Sequence, residues 1–184
     1  MTSANSDTNA NTNAGVMWRA MLQRDLPAVV AIAEQVHPAY PESPEVFAER
    51  LQLFAEGCRV AVDGEDCVHG YAITHPAMLG QPPALNSLLH VLPPQADCLY
   101  LHDVALTDAA RRYGLGGKLV ELIRQHAEAM QVGHAALVAV NDSAGYWRRR
   151  GFTDYRQADA ALLKKIASYD VAAHYLVMDL ARTV

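Results

Sequence analysis

The chain has 184 residues, of which 51% are hydrophobic and 19% are charged, and these figures predict one globular domain with a substantial apolar core. Its net charge of −5 argues against nucleic acid or an anionic membrane as a partner, and no apolar run approaches the roughly 20 residues that span a bilayer. Three scattered cysteines and an N-terminus without a signal-like apolar stretch favour a cytoplasmic protein, with neither a disulfide framework nor a zinc site.

The first residues differ in composition from the rest. Residues 1–15 are almost all small and polar, so they cannot bury enough apolar surface to offset the entropy of ordering. We predict a disordered tail over 1–15 and a single domain over 16–184.

Short β-branched or aromatic runs then alternate with stretches of three-to-four-residue apolar spacing, which indicates an α/β fold. In the first half we predict a strand over 16–22, a helix over 26–36, a helix over 45–54, and a hairpin of strands 59–62 and 68–74. Residues 75–97 contain five prolines and predict a long loop, with one helical turn over 85–90.

The second half continues the alternation. We predict a strand over 98–106, a helix over 115–130, a strand over 134–140, a helix over 143–150, a strand over 152–156, a helix over 158–167 and a strand over 174–180.

A glycine-bearing segment, RRYGLG from Arg111 to Gly116, lies between a predicted strand and a predicted helix. The free N–H groups and positive dipole end of a helix N-terminus bind phosphate there, although the same glycines also fit a plain connecting turn. Two nucleotide motifs are excluded: Lys118 is followed by Leu119 where a Walker loop needs Ser or Thr, and Leu119 also occupies the third glycine position of a Rossmann fingerprint.

Two longer runs carry a resemblance to a known family. They are LYLHDVALTDAARRYGLGGKLVELI and LVAVNDSAGYWRRRGF, within residues 98–152. They resemble the acetyl-CoA-binding half of the GCN5-related N-acetyltransferase (GNAT) family, which carries Arg/Gln-x-x-Gly-x-Gly/Ala and later Asn and Gly-Phe. The resemblance implies a mixed central sheet of six to seven strands, flanked by helices, in which the parallel strands four and five splay apart. It also implies acetyl-CoA as co-substrate. The histidines show no metal-ligand spacing, so we expect no metal.

The resemblance assigns coenzyme roles residue by residue. The pyrophosphate would be held by the segment Arg111, Arg112, Tyr113, Gly114, Leu115, Gly116, Gly117 and Lys118, chiefly through backbone N–H groups. The pantetheine arm would hydrogen-bond the main chain of Val104, Ala105 and Leu106. Asn141 and Ser143 would contact the coenzyme from the start of the next helix, although Asn141 fits a helix N-cap equally well.

The catalytic candidates are His102 and Tyr146. His102 shares a strand face with Tyr100 by alternation, whereas Asp103 should point to the other face. The strand resembles arylalkylamine N-acetyltransferases, in which a His serves as base directly or through water; a half-buried His satisfied by backbone or water is the alternative. Many family members have a Tyr four residues before the Gly of Gly-Phe, where its hydroxyl can protonate the departing thiolate. This chain has Trp147 at that position. We predict that Trp147 packs against the coenzyme arm or the core, and that Tyr146, rotated by about 100°, reaches the acid position only if the turn is distorted.

The sequence therefore predicts direct transfer of an acetyl group from acetyl-CoA to a primary amine of a small molecule. The alternatives are a non-catalytic acyl-CoA-binding module and a transferase for another acyl group. We expect residues 37–44, the loop 76–94, Tyr169 and Tyr175 to select the amine, with Glu42 and Glu45 attracting a cation. A homodimer is compatible with this prediction.

Overall fold

The computed structural model describes residues 15–180, so all but the last residue of the predicted tail lies outside the described residues. The strands are β1 (Met17–Ala20), β2 (Cys58–Val62), β3 (Val68–Ala77), β4 (Cys98–Leu106), β5 (His134–Ala139), β6 (Thr153–Asp154) and β7 (His174–Asp179). The helices are α1 (Leu26–Val36), α2 (Pro44–Leu53), α3 (Leu115–Ala129), α4 (Ala144–Arg148) and α5 (Ala160–Ala167). None of the helices between residues 15 and 180 is long and apolar enough to cross a bilayer.

The seven strands form one mixed sheet in the order β1-β2-β3-β4-β5-β7-β6. The pair β4–β5 is parallel and the other pairs are antiparallel. On one side α3 and α4 pack through Leu119, Ile123 and Trp147. On the other side α1 and α2 pack on Tyr71 and Ile73. The predicted mixed α/β sheet flanked by helices is confirmed.

Among the predicted segments whose bounds differ from the structure, two bear on the site. β3 continues to Ala77, three residues past its predicted end, and the predicted turn of helix over 85–90 is absent. Asn86 and His90 have φ of 53° and 62°, which a right-handed helix does not allow. The N–H groups of Leu89 and His90 instead donate to the Glu49 carboxylate at 2.7 and 2.8 Å, so this loop is docked on α2.

The parallel pairing of β4 with β5 is short. It extends from Cys98 opposite His134 to Leu101 opposite Leu137, and the strands separate beyond that point. A gap therefore opens in the middle of the sheet from His102 onward.

A β-bulge lies at the same position. Ile73 is opposite Asp103 and Thr74 is opposite Leu101, so His102 is an extra residue in β4. The bulge interrupts the two-residue alternation and brings His102 and Asp103 to the same side of the sheet. The prediction that Asp103 points to the opposite face was therefore wrong.

Candidate active site

A cavity of about 490 Å³ lies where β4 and β5 separate. The part of its wall beside the start of α3, here called the α3 end, consists of Arg111, Gly114, Gly116, Asn141, Tyr146 and Arg150. The part beneath the loops, here called the loop end, consists of His37, Tyr40, Glu42, Leu85, Asp103 and Tyr169. His102 lies on β4 between the two ends, so one continuous space joins the glycine turn to the loops.

The N-terminus of α3 fits an anion. Gly114 has φ of 67° and is the N-cap of α3. Its carbonyl accepts the Gly117 N–H at 3.1 Å, whereas the N–H groups of Leu115 and Gly116 precede any acceptor within the helix. A Cβ at Gly114 or Gly117 would meet nothing within 4 Å, so the main chain is open to a ligand. Gly116 differs, because a Cβ there would come within 1.7 Å of the Tyr146 hydroxyl oxygen. Packing of Tyr146 therefore requires glycine at 116.

Arg150 is a charged group at the α3 end that the sequence analysis missed. Its guanidinium carbon lies 3.5 Å from the centroid of the Tyr146 ring, and its Nη1 donates to the Tyr146 carbonyl at 3.2 Å. Its buried Nε has no hydrogen-bond partner among the described residues. Arg111, in contrast, is exposed and pairs with Asp108 at 3.0 Å. Arg150 is thus the better-positioned cation for a phosphate, and the run of three arginines before Gly151 was the available signal.

Nine of the residues assigned to the coenzyme line this cavity: Val104, Ala105, Leu106, Arg111, Gly114, Gly116, Asn141, Ser143 and Trp147. Five others, Arg112, Tyr113, Leu115, Gly117 and Lys118, are not part of its wall. The Leu115 side chain is fully buried in the core and the Arg112 guanidinium lies over the Tyr113 ring, whereas Gly117 and Lys118 are exposed.

The main chain of β4 beyond the bulge faces the gap. The Thr107 N–H donates to the His69 carbonyl oxygen, toward β3. Alternate residues of an antiparallel ladder point their N–H and C=O groups in opposite directions, so those of Val104 point away from β3. The Val104 carbonyl accordingly accepts from His37 Nε2 at 3.0 Å instead of from β3. These outward-facing groups can pair with an extended, amide-bearing chain as a strand would.

Asn141 lies before α4 and not at its cap. Ser143 is the N-cap residue, and Asn141 and Asp142 have φ of 51° and 56°. The N-cap alternative for Asn141 was therefore wrong. Asn is one of the few residues that tolerate this left-handed backbone, which explains part of its presence here.

His102 forms a buried pair with Glu42. Its Nε2 lies 2.8 Å from Glu42 Oε2, and both side chains are 5% exposed. The other carboxylate oxygen, Oε1, accepts the Asn86 N–H at 3.0 Å. Burial raises the pKa of Glu42, but the hydrogen bond and charge of His102 outweigh it and hold that pKa below its usual value. When His102 is neutral, its Nε2–H donates to the ionised Glu42 and the lone pair of the ring lies on Nδ1.

Asp103 forms a second group with Tyr71 and His37. Its Oδ2 accepts from the Tyr71 hydroxyl at 2.5 Å, and its Oδ1 lies 3.4 Å from His37 Nε2. Burial raises the pKa of Asp103, opposed by the nearby His37 and the Tyr71 hydrogen bond. The chain thus contributes two carboxylates of different environment to one cavity.

His75 on β3 lies next to His102. The two rings have centroids 5.9 Å apart. Burial, together with the charge of His102, lowers the pKa of His75 to about 3, so it is neutral at physiological pH. Alternation over residues 68–74 gave no signal for it, because β3 was predicted to end before it.

Hydrogen bonds between loops join them over the loop end. The Tyr40 hydroxyl donates to Asp170 at 2.7 Å, and the Tyr169 hydroxyl donates to the Pro83 carbonyl. Tyr175, expected to select the substrate, is instead buried in the core, where its hydroxyl accepts the Gly80 N–H at 3.0 Å. Glu45 is exposed at the start of α2 and outside the cavity.

Among residues 15–180, no three or more His, Cys, Asp or Glu side chains form a group that could hold a metal ion.

Residues 18–152 match the sequence profile described as the acetyltransferase (GNAT) family. The chain belongs to the GNAT family. Its class of activity is accordingly that of an acyl-CoA-dependent acyltransferase. No curated protein sequence matches the chain.

Solved structures show the same fold at low sequence identity. N-acetylglutamate synthase from Neisseria gonorrhoeae, complexed with coenzyme A and N-acetyl-glutamate, is 18% identical with a TM-score of 0.66. The match covers 92% of this chain but only 36% of that longer one. The NatC complex bound to Gag peptide and CoA gives 16% identity, a TM-score of 0.65, and coverage of 91% and 99% of the two chains. A GNAT-like decarboxylase in complex with isobutyryl-CoA is 16% identical with a TM-score of 0.66, and the match covers 90% of this chain and 100% of that one.

Trp147 is where this GNAT chain departs from the pattern of its family. Its side chain is 6% exposed and packs edge-on against Phe152, with ring centroids 5.6 Å apart, while it also lines the cavity. The Tyr146 hydroxyl lies beside Gly116 at the α3 end. The structure thus places Trp147 in the core and Tyr146 beside the glycine turn.

Proposed function

We propose that this protein transfers an acetyl group from acetyl-CoA directly to a primary amine of a small molecule, with His102 as the base. The observation that carries the proposal is the buried His102–Glu42 pair at 2.8 Å, on the strand that borders the gap between β4 and β5.

The wall of the cavity fits acetyl-CoA in two places. The first turn of α3 and the Arg150 guanidinium suit the pyrophosphate, because N–H groups and a partly buried cation converge there. The Val104 carbonyl faces the gap, where it accepts from His37 Nε2 and has a second lone pair for an amide N–H of the pantetheine arm. Acetyl-CoA bound in this way supplies a thioester carbonyl, which is the electrophile of the reaction.

His102 then serves as the proton acceptor. Because Glu42 holds Nε2, the nitrogen that accepts the proton of the amine is Nδ1. The negative charge of Glu42 stabilises the imidazolium that forms. Asn86, through its N–H to Oε1, keeps that carboxylate in place.

No side-chain acid is needed at the Trp147 position. An indole N–H donates a hydrogen bond but keeps its proton near neutral pH. A free thiol has a pKa of about 8.5, so a thiolate is an adequate leaving group without prior protonation.

The joined loops favour a small acceptor. A polypeptide entering at the loop end would have to displace the contacts of Tyr40 with Asp170 and of Tyr169 with Pro83. A small amine fits beneath them.

The test is time-dependent thiol release from acetyl-CoA with a panel of amines, with product identified by mass spectrometry. For an accepted amine we expect His102→Ala to lower kcat by about 100-fold or more, with acetyl-CoA affinity by calorimetry unchanged. The control is His174→Ala, which removes an exposed histidine outside the cavity. Parent-like turnover and pH profile in folded His102→Ala would make His102 structural. Tight acetyl-CoA binding without thiol release for any amine would make the protein a binding module.

A further inference from the structure

The loop between β3 and β4 contacts the carboxylate that pairs with the proposed base. Glu42 Oε2 lies 2.8 Å from His102 Nε2, and Glu42 Oε1 accepts the Asn86 N–H at 3.0 Å. Asn86 itself is exposed and is not part of the cavity wall. We propose that Asn86 is a positioning residue for the reaction, which acts on His102 through Glu42 and contacts neither substrate. This inference rests on the proposed function and adds a residue outside the cavity to it.

Asn86 contacts Glu42 and its chain neighbour Ser43 at the same time. Its N–H donates to Glu42 Oε1, and its Oδ1 accepts the Ser43 N–H at 2.7 Å. Ser43 is the N-cap of α2, so its N–H has no acceptor within the helix. One residue therefore holds both the Glu42 carboxylate and the main chain next to it, which restricts rotation of Glu42 away from His102.

The backbone conformation of Asn86 limits which residues fit at this position. Its φ is 53°, in the left-handed region that Gly and Asn tolerate better than other residues. Asn combines this tolerance with an acceptor for the Ser43 N–H, whereas Gly has the tolerance without the acceptor. The substitution Asn86→Gly therefore removes the side-chain contact without straining the main chain.

The segment that follows Asn86 is fixed to α2. Two of its N–H groups donate to the Glu49 carboxylate at 2.7 and 2.8 Å. The Ser87 carbonyl accepts from Arg50 Nη2 at 2.8 Å, and the Arg50 side chain is fully buried. These contacts fix the main chain directly after Asn86, so its N–H is presented to Glu42 in one orientation.

The position of Glu42 determines which nitrogen of His102 is free to accept a proton. With the carboxylate at Nε2, the lone pair of neutral His102 lies on Nδ1, the nitrogen that accepts the proton of the amine. If Glu42 rotates away, Nε2–H loses its acceptor and the tautomer with its proton on Nδ1 becomes populated. The imidazolium form also loses its negative partner, which lowers the pKa of the base. Weaker positioning of Glu42 should therefore slow proton transfer and alter its dependence on pH.

The first experiment measures Asn86→Gly with acetyl-CoA and the most active amine of the panel. We expect kcat to fall by about three- to tenfold, as for one lost hydrogen bond, and the acid limb of the pH profile to move to lower pH. The KM for acetyl-CoA should not change. Asn86→Asp keeps an acceptor for the Ser43 N–H and should keep kcat within about twofold of the parent. The matched control is His90→Gly, at an exposed position of the same loop with φ of 62°, and it should behave like the parent.

A double-mutant cycle with Glu42→Gln tests whether Asn86 acts through Glu42. In the Glu42→Gln background the charge beside His102 is already lost, so adding Asn86→Gly should lower kcat by less than about twofold further. Equal fold losses in both backgrounds would show that Asn86 only supports the loop. So would a loss confined to the KM for the amine with an unchanged pH profile. Either result would overturn the inference and leave the proposed function standing, whereas thiol release without any amine would overturn the proposed function and this inference with it.

Discussion

Replacing Glu42 by Gln tests how the base is held. The buried carboxylate accepts from His102 Nε2 at 2.8 Å and from the Asn86 N–H at 3.0 Å. A Gln side chain has the same shape, and its carbonyl oxygen can still accept from Asn86. Its amide NH₂ then faces His102 and donates to Nε2, which moves the ring proton to Nδ1. The variant therefore loses the negative charge beside His102, and the Nδ1 that should accept the proton of the amine is already protonated.

The size of the effect follows from the distance and burial. Two unit charges at the 2.8 Å of this pair interact by about 6 kcal/mol at an effective dielectric of about 20, which is an upper limit. Hydrogen bonds to charged groups contribute about 1.5–3 kcal/mol, or about 10- to 150-fold in rate. Because the tautomer also changes, we expect kcat to fall by about 100-fold or more, with acetyl-CoA affinity unchanged.

The assay is the dependence of kcat/KM on pH for an accepted amine. Loss of a negative charge beside the base disfavours its protonated form, so the acid limb of the profile should move to lower pH. Glu45→Gln is the matched control, because Glu45 is exposed and outside the cavity. A folded Glu42→Gln protein with the parent rate and profile would refute the assignment of His102 Nδ1 as the base.

Three further changes probe the coenzyme site and the fold. Gly117→Glu adds a negative charge beside the proposed pyrophosphate site without a steric clash, so calorimetry should show acetyl-CoA binding weakened by about tenfold or more. The control is Gly133→Glu, which is equally open but lies before β5, and it should bind acetyl-CoA like the parent. Tyr146→Phe should change kcat by less than about threefold; a 100-fold loss with unchanged acetyl-CoA affinity would make Tyr146 the acid. The hydrogen bond from Arg19 holds the pKa of Asp25 below its usual value, so Asp25 stabilises the fold above about pH 4 and this contribution is lost as pH falls. Asp25→Asn should thus lower the free energy of unfolding by about 1–3 kcal/mol at pH 7, and by less at about pH 3; an equal loss at both pH values would contradict this.

Gly117 is a better position than Gly116 for testing coenzyme binding by substitution. A bulky residue at Gly116 would collide with the Tyr146 hydroxyl, so its effect would mix loss of packing with loss of coenzyme binding. Gly117 has no such neighbour and isolates the charge effect.

Local sequence signals were sufficient where the chemistry is local. The apolar spacing from Leu115 to Ala127 predicted α3, and Gly114 and Gly116 predicted its open N-terminus, because helix periodicity and left-handed turns depend on neighbouring residues. The order of helices and strands could therefore be predicted from local patterns, whereas the mixed sheet and the coenzyme end of the cavity were predicted from the resemblance to the GNAT family.

Contacts between distant residues could not be predicted in this way. Glu42 and His102 are 60 positions apart, and their pairing depends on how the loop before α2 lies over β4. The docking of 85–90 on α2 depends on Glu49 accepting two N–H groups, which no pattern within that loop encodes. The acceptor side of the cavity was consequently predicted only as a set of loops.

The bulge at His102 links these features. One extra residue in β4 coincides with the end of pairing to β5, since Leu101 is the last paired residue and His102 the unpaired one. The same residue reverses the alternation, so that His102 meets Glu42 while Asp103 meets Tyr71 and His37 on the same side of the sheet. A regular strand offers one polar side chain to a face every two residues, about 6.8 Å apart. At the bulge, two consecutive residues instead present polar side chains to one face, at the point where β4 and β5 separate.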